Sequence, residues 1–245
     1  MIITLCGKGG CGKSTVSALL AKEMARMGKN VLVIDADESN FGLHRQLGAA
    51  LPRDFTDFLG GRAGIFKHPK GTEVSFFNEK WTLDTLPSDY VSEKDGIRLV
   101  SVGKIHDANE GCACAMGAFA KQLLPNLSLR ESDVVIVDME AGVEHFGRGI
   151  DNLADKILMV IDPSFESLQL SRKIASMAES IHKPVSFILN KADASSEVFM
   201  REELGTDAIA AVLPASAEIA ASGLRGQELN VRFAAVRSLA ESLLA

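Results

Sequence analysis

The stretch "CGKGGCGKST", from Cys6 to Thr15, decides the fold. An apolar run, "MIITLC", leads into it, and a segment with helical spacing from Lys13 to Met27 leaves it. It fits the pattern G-x-x-x-x-G-K-[ST] at Gly7, Gly12, Lys13 and Ser14. Glycines at this spacing let successive backbone N–H groups turn toward one anion at a helix N-terminus. Lys13 adds positive charge for the outer phosphates, and the Ser14 hydroxyl suits magnesium. The loop from Gly7 through Lys8, Gly9, Gly10, Cys11, Gly12, Lys13 and Ser14 to Thr15 is therefore read as a nucleotide phosphate cradle.

Outward from the loop, short apolar runs alternate with helical segments. "NVLVID", "IRLVSVG", "DVVIVD", "KILMVID", "PVSFILN" and "AIAAVLP" join the first run as buried strands. Helices are predicted over Lys13–Met27, Ala115–Leu129, Phe165–Ile181 and Val231–Leu244. The fold expected is a single-domain α/β P-loop NTPase over residues 1–245. Its sheet has about seven mostly parallel strands, with helices on both faces. Leu51–Gly96 is the least regular part and reads as a helix plus a surface excursion.

The 245 residues are 47% hydrophobic, enough for one large core, and carry a formal net charge of −6. That balance argues against a nonspecific nucleic-acid binder, which would carry a basic stripe. No apolar run approaches the roughly 18 residues of a membrane span. Four cysteines are too few for a disulfide framework, and no leader-like segment precedes the first strand. A reducing, cytoplasmic compartment follows as the expectation, with neither nucleic acid nor membrane as a partner.

Three carboxylates stand where strands should end: Asp35 and Asp37 in "VLVIDADESN" and Asp138 in "VVIVDMEAG". At the carboxyl edge of parallel strands they can reach a nucleotide's magnesium or the attacking water. Asp138 is the candidate to hold magnesium through water, beside Ser14 as a direct ligand.

A second lysine, Lys8, follows the first glycine, giving K-G-G-x-G-K-S-T. Here the chain resembles the deviant Walker A ATPases, the family of MinD, ParA and the nitrogenase iron protein. The resemblance implies a nucleotide-sandwich homodimer in which Lys8 crosses to the partner's phosphates, acting with Lys13, Asp37 and Asp138 in hydrolysis. It also implies that Asp37 positions the hydrolytic water, that Asp35 supports either the water or the metal shell, and that Gly142 senses the γ-phosphate. The base is ambiguous. "NKAD", Asn190–Asp193, matches the guanine-reading N-K-x-D pattern, with Asp193 accepting from the ring. In the resembled family an Asn-Lys pair here accompanies adenine, which places Asn190, Lys191 and the backbone near Pro214 around ATP. Asp193 then only starts the next turn.

Cys112 and Cys114, in "HDANEGCACAMG", stand one residue apart. A disulfide across that spacing would be badly strained. In an extended segment residues i and i+2 face the same way, so both sulfurs can aim at one point. Two thiolates underfill a d-block ion, but a two-fold dimer doubles them to four. Tetrahedral sulfur suits zinc, and square-planar sulfur suits nickel or copper. Two small reduced cysteines in a loop is the plain alternative. The phosphate loop, the C-A-C pair and the continuation "DMEAGVEHFGRG" together resemble the CooC family, ATPases that assist nickel insertion into carbon monoxide dehydrogenase. That resemblance implies Ni2+ (or Zn2+) held by Cys112 and Cys114 across the dimer, with ATP and Mg2+ as cofactors and the apoenzyme as client. A metal-free positioning switch of the MinD or ParA kind, and an iron–sulfur carrier, are the rival readings.

Overall fold

The computed structural model describes residues 1–61, 79–104, 122–143 and 150–245. Its strands are β1 (Ile2–Gly7), β2 (Asn30–Asp35), β3 (Ser92–Lys94), β4 (Ile97–Ser101), β5 (Asp133–Asp138), β6 (Lys156–Ile161), β7 (Val185–Ala192) and β8 (Ile209–Pro214). They form one sheet in the order β3-β4-β2-β5-β1-β6-β7-β8. Every pairing is parallel except β3 with β4.

The seven runs read as strands are all strands. The eighth, β3, is three residues long, "SEK", and partly exposed. A polar segment that short has no alternation to read, and charge on an edge strand blunts further pairing. Among the described residues the α-helices are α1 (Lys13–Arg26), α2 (Leu43–Leu47), α3 (Phe165–Ser180), α4 (Ala194–Leu204), α5 (Ala217–Arg225) and α6 (Ala234–Leu244). Three of them carry side-chain start signals: Ser164 accepts from Ser167 N at α3, and two more mark helices that periodicity alone passes over. Asp193 and Ser196 form a capping box at α4, and the Ser216 side chain caps α5.

Alternation along the strands divides the core. Ile3, Leu5, Val31 and Val33 face a layer completed by α1 and α6. Leu32, Ile34, Val135 and Val137 face the opposite side, covered by Phe55, Trp81, Leu83 and Leu86. Cys6, Met159 and Leu189 share that opposite side with residues of α3 and α4. The stretch Leu51–Gly96 is therefore more than a surface excursion. Phe55 is completely buried, and its ring lies 5.8 Å from that of Trp81 and 5.3 Å from that of Tyr90. Aromatic pairs at such offsets add to what burial alone contributes. Its described parts hold the 3-10 turns Phe55–Leu59 and Ser88–Tyr90. The helix predicted to run to Leu129 has already given way to a 3-10 turn at Leu124–Asn126, where Pro125 stands, and Leu127 bridges to Trp81.

This topology fixes where a ligand goes. β1 lies between β5 and β6, with its successor β2 beyond β5 on one side and β6 on the other, so the strand order reverses here and a crevice opens beyond the strand ends. The loop from Gly7 to Gly12 lies at that crevice.

Candidate functional site: a nucleotide cavity at the strand ends

A cavity of about 660 Å³ opens above the carboxyl ends of the central strands. Its floor is the loop after β1, with Gly9, Gly10, Gly12, Lys13, Ser14 and Thr15. One wall comes from Asp37, Ser39, Asn40 and Gln46, and the other from Asn190, Lys191, Pro214 and the start of α5. Ala141 closes the rim.

Two glycines make this loop possible. Gly7 has φ +143°, and a Cβ there would lie 2.4 Å from the Val160 carbonyl oxygen. Gly12, the residue before α1, has φ +101°, and a Cβ there would lie 2.3 Å from Asn190 Nδ2. That Nδ2 donates to the Cys11 carbonyl at 2.8 Å, and Lys191 Nζ donates to the Gly10 carbonyl at 2.7 Å. The end of β7 thus braces the loop from outside. Cys6 and Cys11 are fully buried, and burial pushes both thiols up from their ordinary range.

At the phosphate end, Ser14 Oγ donates to Asp138 Oδ2 at 2.5 Å, and Ser17 Oγ donates to Asp138 Oδ1 at 3.1 Å. Asn40 Nδ2 in turn donates to Ser14 Oγ at 2.5 Å. Asp138 is fully buried, and that burial, only partly offset by Ser14, Lys13 and Ser17, raises its carboxyl to about 6. A hydroxyl and a desolvated carboxylate in contact form an oxygen donor set that suits a hard cation such as magnesium. Such an ion would neutralise phosphate charge and relieve the buried carboxylate.

Asp35 and Asp37 separate in position. Asp37 lines the cavity, and its Oδ1 accepts from Ser39 N at 3.0 Å and Ser39 Oγ at 2.6 Å. Asp35 lies behind it, where burial outweighs the attraction of Lys104 and raises its carboxyl. Its Oδ2 accepts from Lys104 Nζ at 2.6 Å. The reading that placed Asp35 in the water or metal shell meets a carboxylate that stands outside the cavity lining, committed to an internal lysine. Gly142 N donates to the Gly7 carbonyl at 3.2 Å, tying the segment after β5 to the phosphate loop. Lys8 is held within its own chain, 3.3 Å from Asp162 and donating to Ser164 Oγ at 2.9 Å. Asp193 is not among the lining residues. Its Oδ1 accepts from Ser195 N and Ser196 N at the start of α4.

Sequence reasoning missed Lys104, Asn40, Ser17 and Gln46. Lys104 had a signal: it ends "IRLVSVGK" at an edge where other strands end in carboxylates. Cys112 and Cys114 lie outside the described residues. Among the described residues no group of three His, Cys, Asp or Glu side chains is placed to hold a metal ion. Nor is any helix among them long and apolar enough to cross a membrane.

Residues 2–229 match the CobQ/CobB/MinD/ParA nucleotide binding domain. An uncharacterised ATP-binding protein of Methanocaldococcus jannaschii is 48% identical over 247 residues, 99% of this chain and 99% of the relative. The carbon monoxide dehydrogenase accessory protein CooC of Rhodospirillum rubrum is 31% identical over 254 residues, 100% of this chain and 95% of CooC. Among solved structures, the septum site-determining protein MinD of Pyrococcus horikoshii, complexed with Mg-ADP, superposes with a TM-score of 0.70 at 19% identity, covering 99% and 95% of the two chains. With its phosphate loop, cavity and strand order in place, the chain belongs to the CobQ/CobB/MinD/ParA family of nucleotide-binding proteins and is an ATPase of that family.

Proposed function

We propose that this ATPase is an accessory metallochaperone that carries nickel at a dimer-shared Cys112/Cys114 site and assists its insertion into a carbon monoxide dehydrogenase. The observation that carries the reading is the similarity to CooC along the whole chain, together with the C-A-C pair in the sequence. ATP is preferred over GTP because Asp193, the acceptor a guanine would need, caps α4 instead of lining the cavity.

In this reading Lys13 and the loop amides bind the phosphates. Ser14 and Asp138 hold magnesium, which supplies charge neutralisation when bound. Asp37 orients water for attack, giving ADP and phosphate. Lys8 leaves Asp162 and Ser164 to reach the partner's nucleotide, so ATP favours the dimer that completes a four-thiolate site. Linkage then requires that nickel favour the ATP-bound dimer by the same factor. Hydrolysis loosens the dimer and releases the ion to the client.

Anaerobic nickel titration with sizing, with and without a nonhydrolysable ATP analogue, tests this. The expected result is one ion per two chains, tighter with the analogue, and absent in Cys112→Ser/Cys114→Ser. Binding should fade as pH falls, because thiols near their usual pKa of about 8.5 compete for protons. Equal nickel binding by the double variant would overturn the proposal.

A further inference from the structure

Lys104 follows β4 and has a completely buried side chain. An ammonium taken out of water costs several kcal/mol, a loss that partners repay only when the geometry is good. Here it is complete. Nζ has three protons to donate and finds Asp35 Oδ2 at 2.6 Å, the Asp37 carbonyl at 2.5 Å and the Asn40 carbonyl at 2.5 Å. All three acceptors belong to residues 35–40 at the end of β2.

That turn carries the groups facing the phosphate end of the cavity. Asp37 lines it, while Asn40 Nδ2 lies 2.5 Å from Ser14 Oγ and Asn40 Oδ1 accepts from Gly42 N at 2.8 Å. Asp35 Oδ1 accepts from Asp37 N at 3.2 Å, so the carboxylate that takes Lys104 also holds the start of the turn. On the other side Lys104 N donates to Asp54 Oδ2 at 3.0 Å, which fixes the lysine's own backbone.

We propose that Lys104 is a positioning residue for hydrolysis: its saturated, buried ammonium clamps the Asp37–Asn40 turn, and thereby sets where Asp37 and Asn40 stand against the γ-phosphate end of the site. This rests on the reading of the cavity as an ATP site. Lys104 is not among the residues that line the cavity. ADP affinity and turnover should therefore respond differently to its loss.

The test compares wild type, Lys104→Met and Lys104→Gln for ADP affinity, ATP turnover and hydrogen exchange at the Gly42 amide. Lys104→Met keeps the length without donors, and Lys104→Gln keeps a short neutral donor in case the first does not fold. In at least one variant, ADP should bind within about threefold of wild type while kcat falls roughly 10- to 100-fold, the range a misplaced group costs, and Gly42 exchange quickens. Unchanged kcat in every variant that folds overturns the inference. So does a parallel loss of ADP affinity and kcat in both variants, which makes Lys104 a general core residue. A wild type that binds ADP but never hydrolyses ATP sinks the ATPase reading instead, and Gly42 exchange still judges the clamp.

Discussion

The two sides of β1 treat the same chemical group in opposite ways. On the β5 and β2 side, Asp138 and Asp35 end buried strands, and burial raises both carboxyls. Across β1, Asp162 follows β6 and Asp193 follows β7, and both carboxyls are lowered. Burial works against Asp162 too, but hydrogen bonds from Ser167, Ser164 and Lys8 outweigh it. Asp193 is held near 2 by the Ser196 amide, then by the Ser196 and Ser195 side chains. An apolar run ending in aspartate therefore has two uses along one sheet edge. Where burial dominates, the carboxylate serves as an internal acceptor, for Ser14 and Ser17 at Asp138 and for Lys104 at Asp35. Where helix-start hydroxyls and amides meet it, it caps and braces.

The largest effect separates the two uses kinetically. Asp138→Asn should lower kcat at least ~100-fold, the equivalent of the several kcal/mol a held metal ion supplies. Asp193→Asn, still a good cap, should leave kcat within about twofold. Steady-state rates on both variants check this, and a comparable loss in Asp193→Asn would erase the distinction.

Stability should move the other way. A carboxyl raised in the folded state contributes stability that is present below its unfolded pKa and lost as pH rises through its folded value. For Asp138 that loss runs from 3.8 to about 6. At pH 8 its ionisation therefore costs on the order of 3 kcal/mol. In EDTA, Asp138→Asn should melt higher than wild type at pH 8, and the advantage should shrink as pH falls from 6 toward 4. Melting curves across that range decide the matter; a variant less stable at every pH would show that Ser14 and Ser17 more than compensate for the burial.

The smallest effect is at the opposite pole. Asp193→Ala should lower the melting temperature by a few degrees at pH 7. Because the Asp193 carboxyl is lowered from 3.8 to about 2, its contribution is present above the unfolded value and is lost as pH falls toward 2. The deficit of the alanine variant should narrow in acid, whereas a pH-independent deficit would assign the cap to geometry alone.

Sequence made the phosphate loop and the parallel strands legible because each depends on local pattern: glycines at fixed offsets, and apolar runs bounded by turns. It also singled out Asp35, Asp37 and Asp138, yet could not say which of the first two lines the cavity. Lys104, 69 positions downstream of Asp35, pairs with Asp35 through a contact no spacing rule encodes. Asp193 shows the converse. Four residues fit a guanine-reading pattern, and the capping partners Ser195 and Ser196, adjacent in sequence, mark the aspartate as a helix start. The aromatic cover from Phe55 to Tyr90 stayed hidden because its apolar residues follow neither a period of two nor one of 3.6.

The burial of Cys6 and Cys11 gives the molecule an experimental quietness. Cys6 at the end of β1 and Cys11 within the phosphate loop are both buried, and that burial pushes both thiols up and disfavours the reactive thiolate. Of the chain's four cysteines, any that takes up an alkylating reagent or a fluorescent label under native conditions is then Cys112 or Cys114. Protection of that labelling by nickel or ATP can then be followed without removing a single background cysteine.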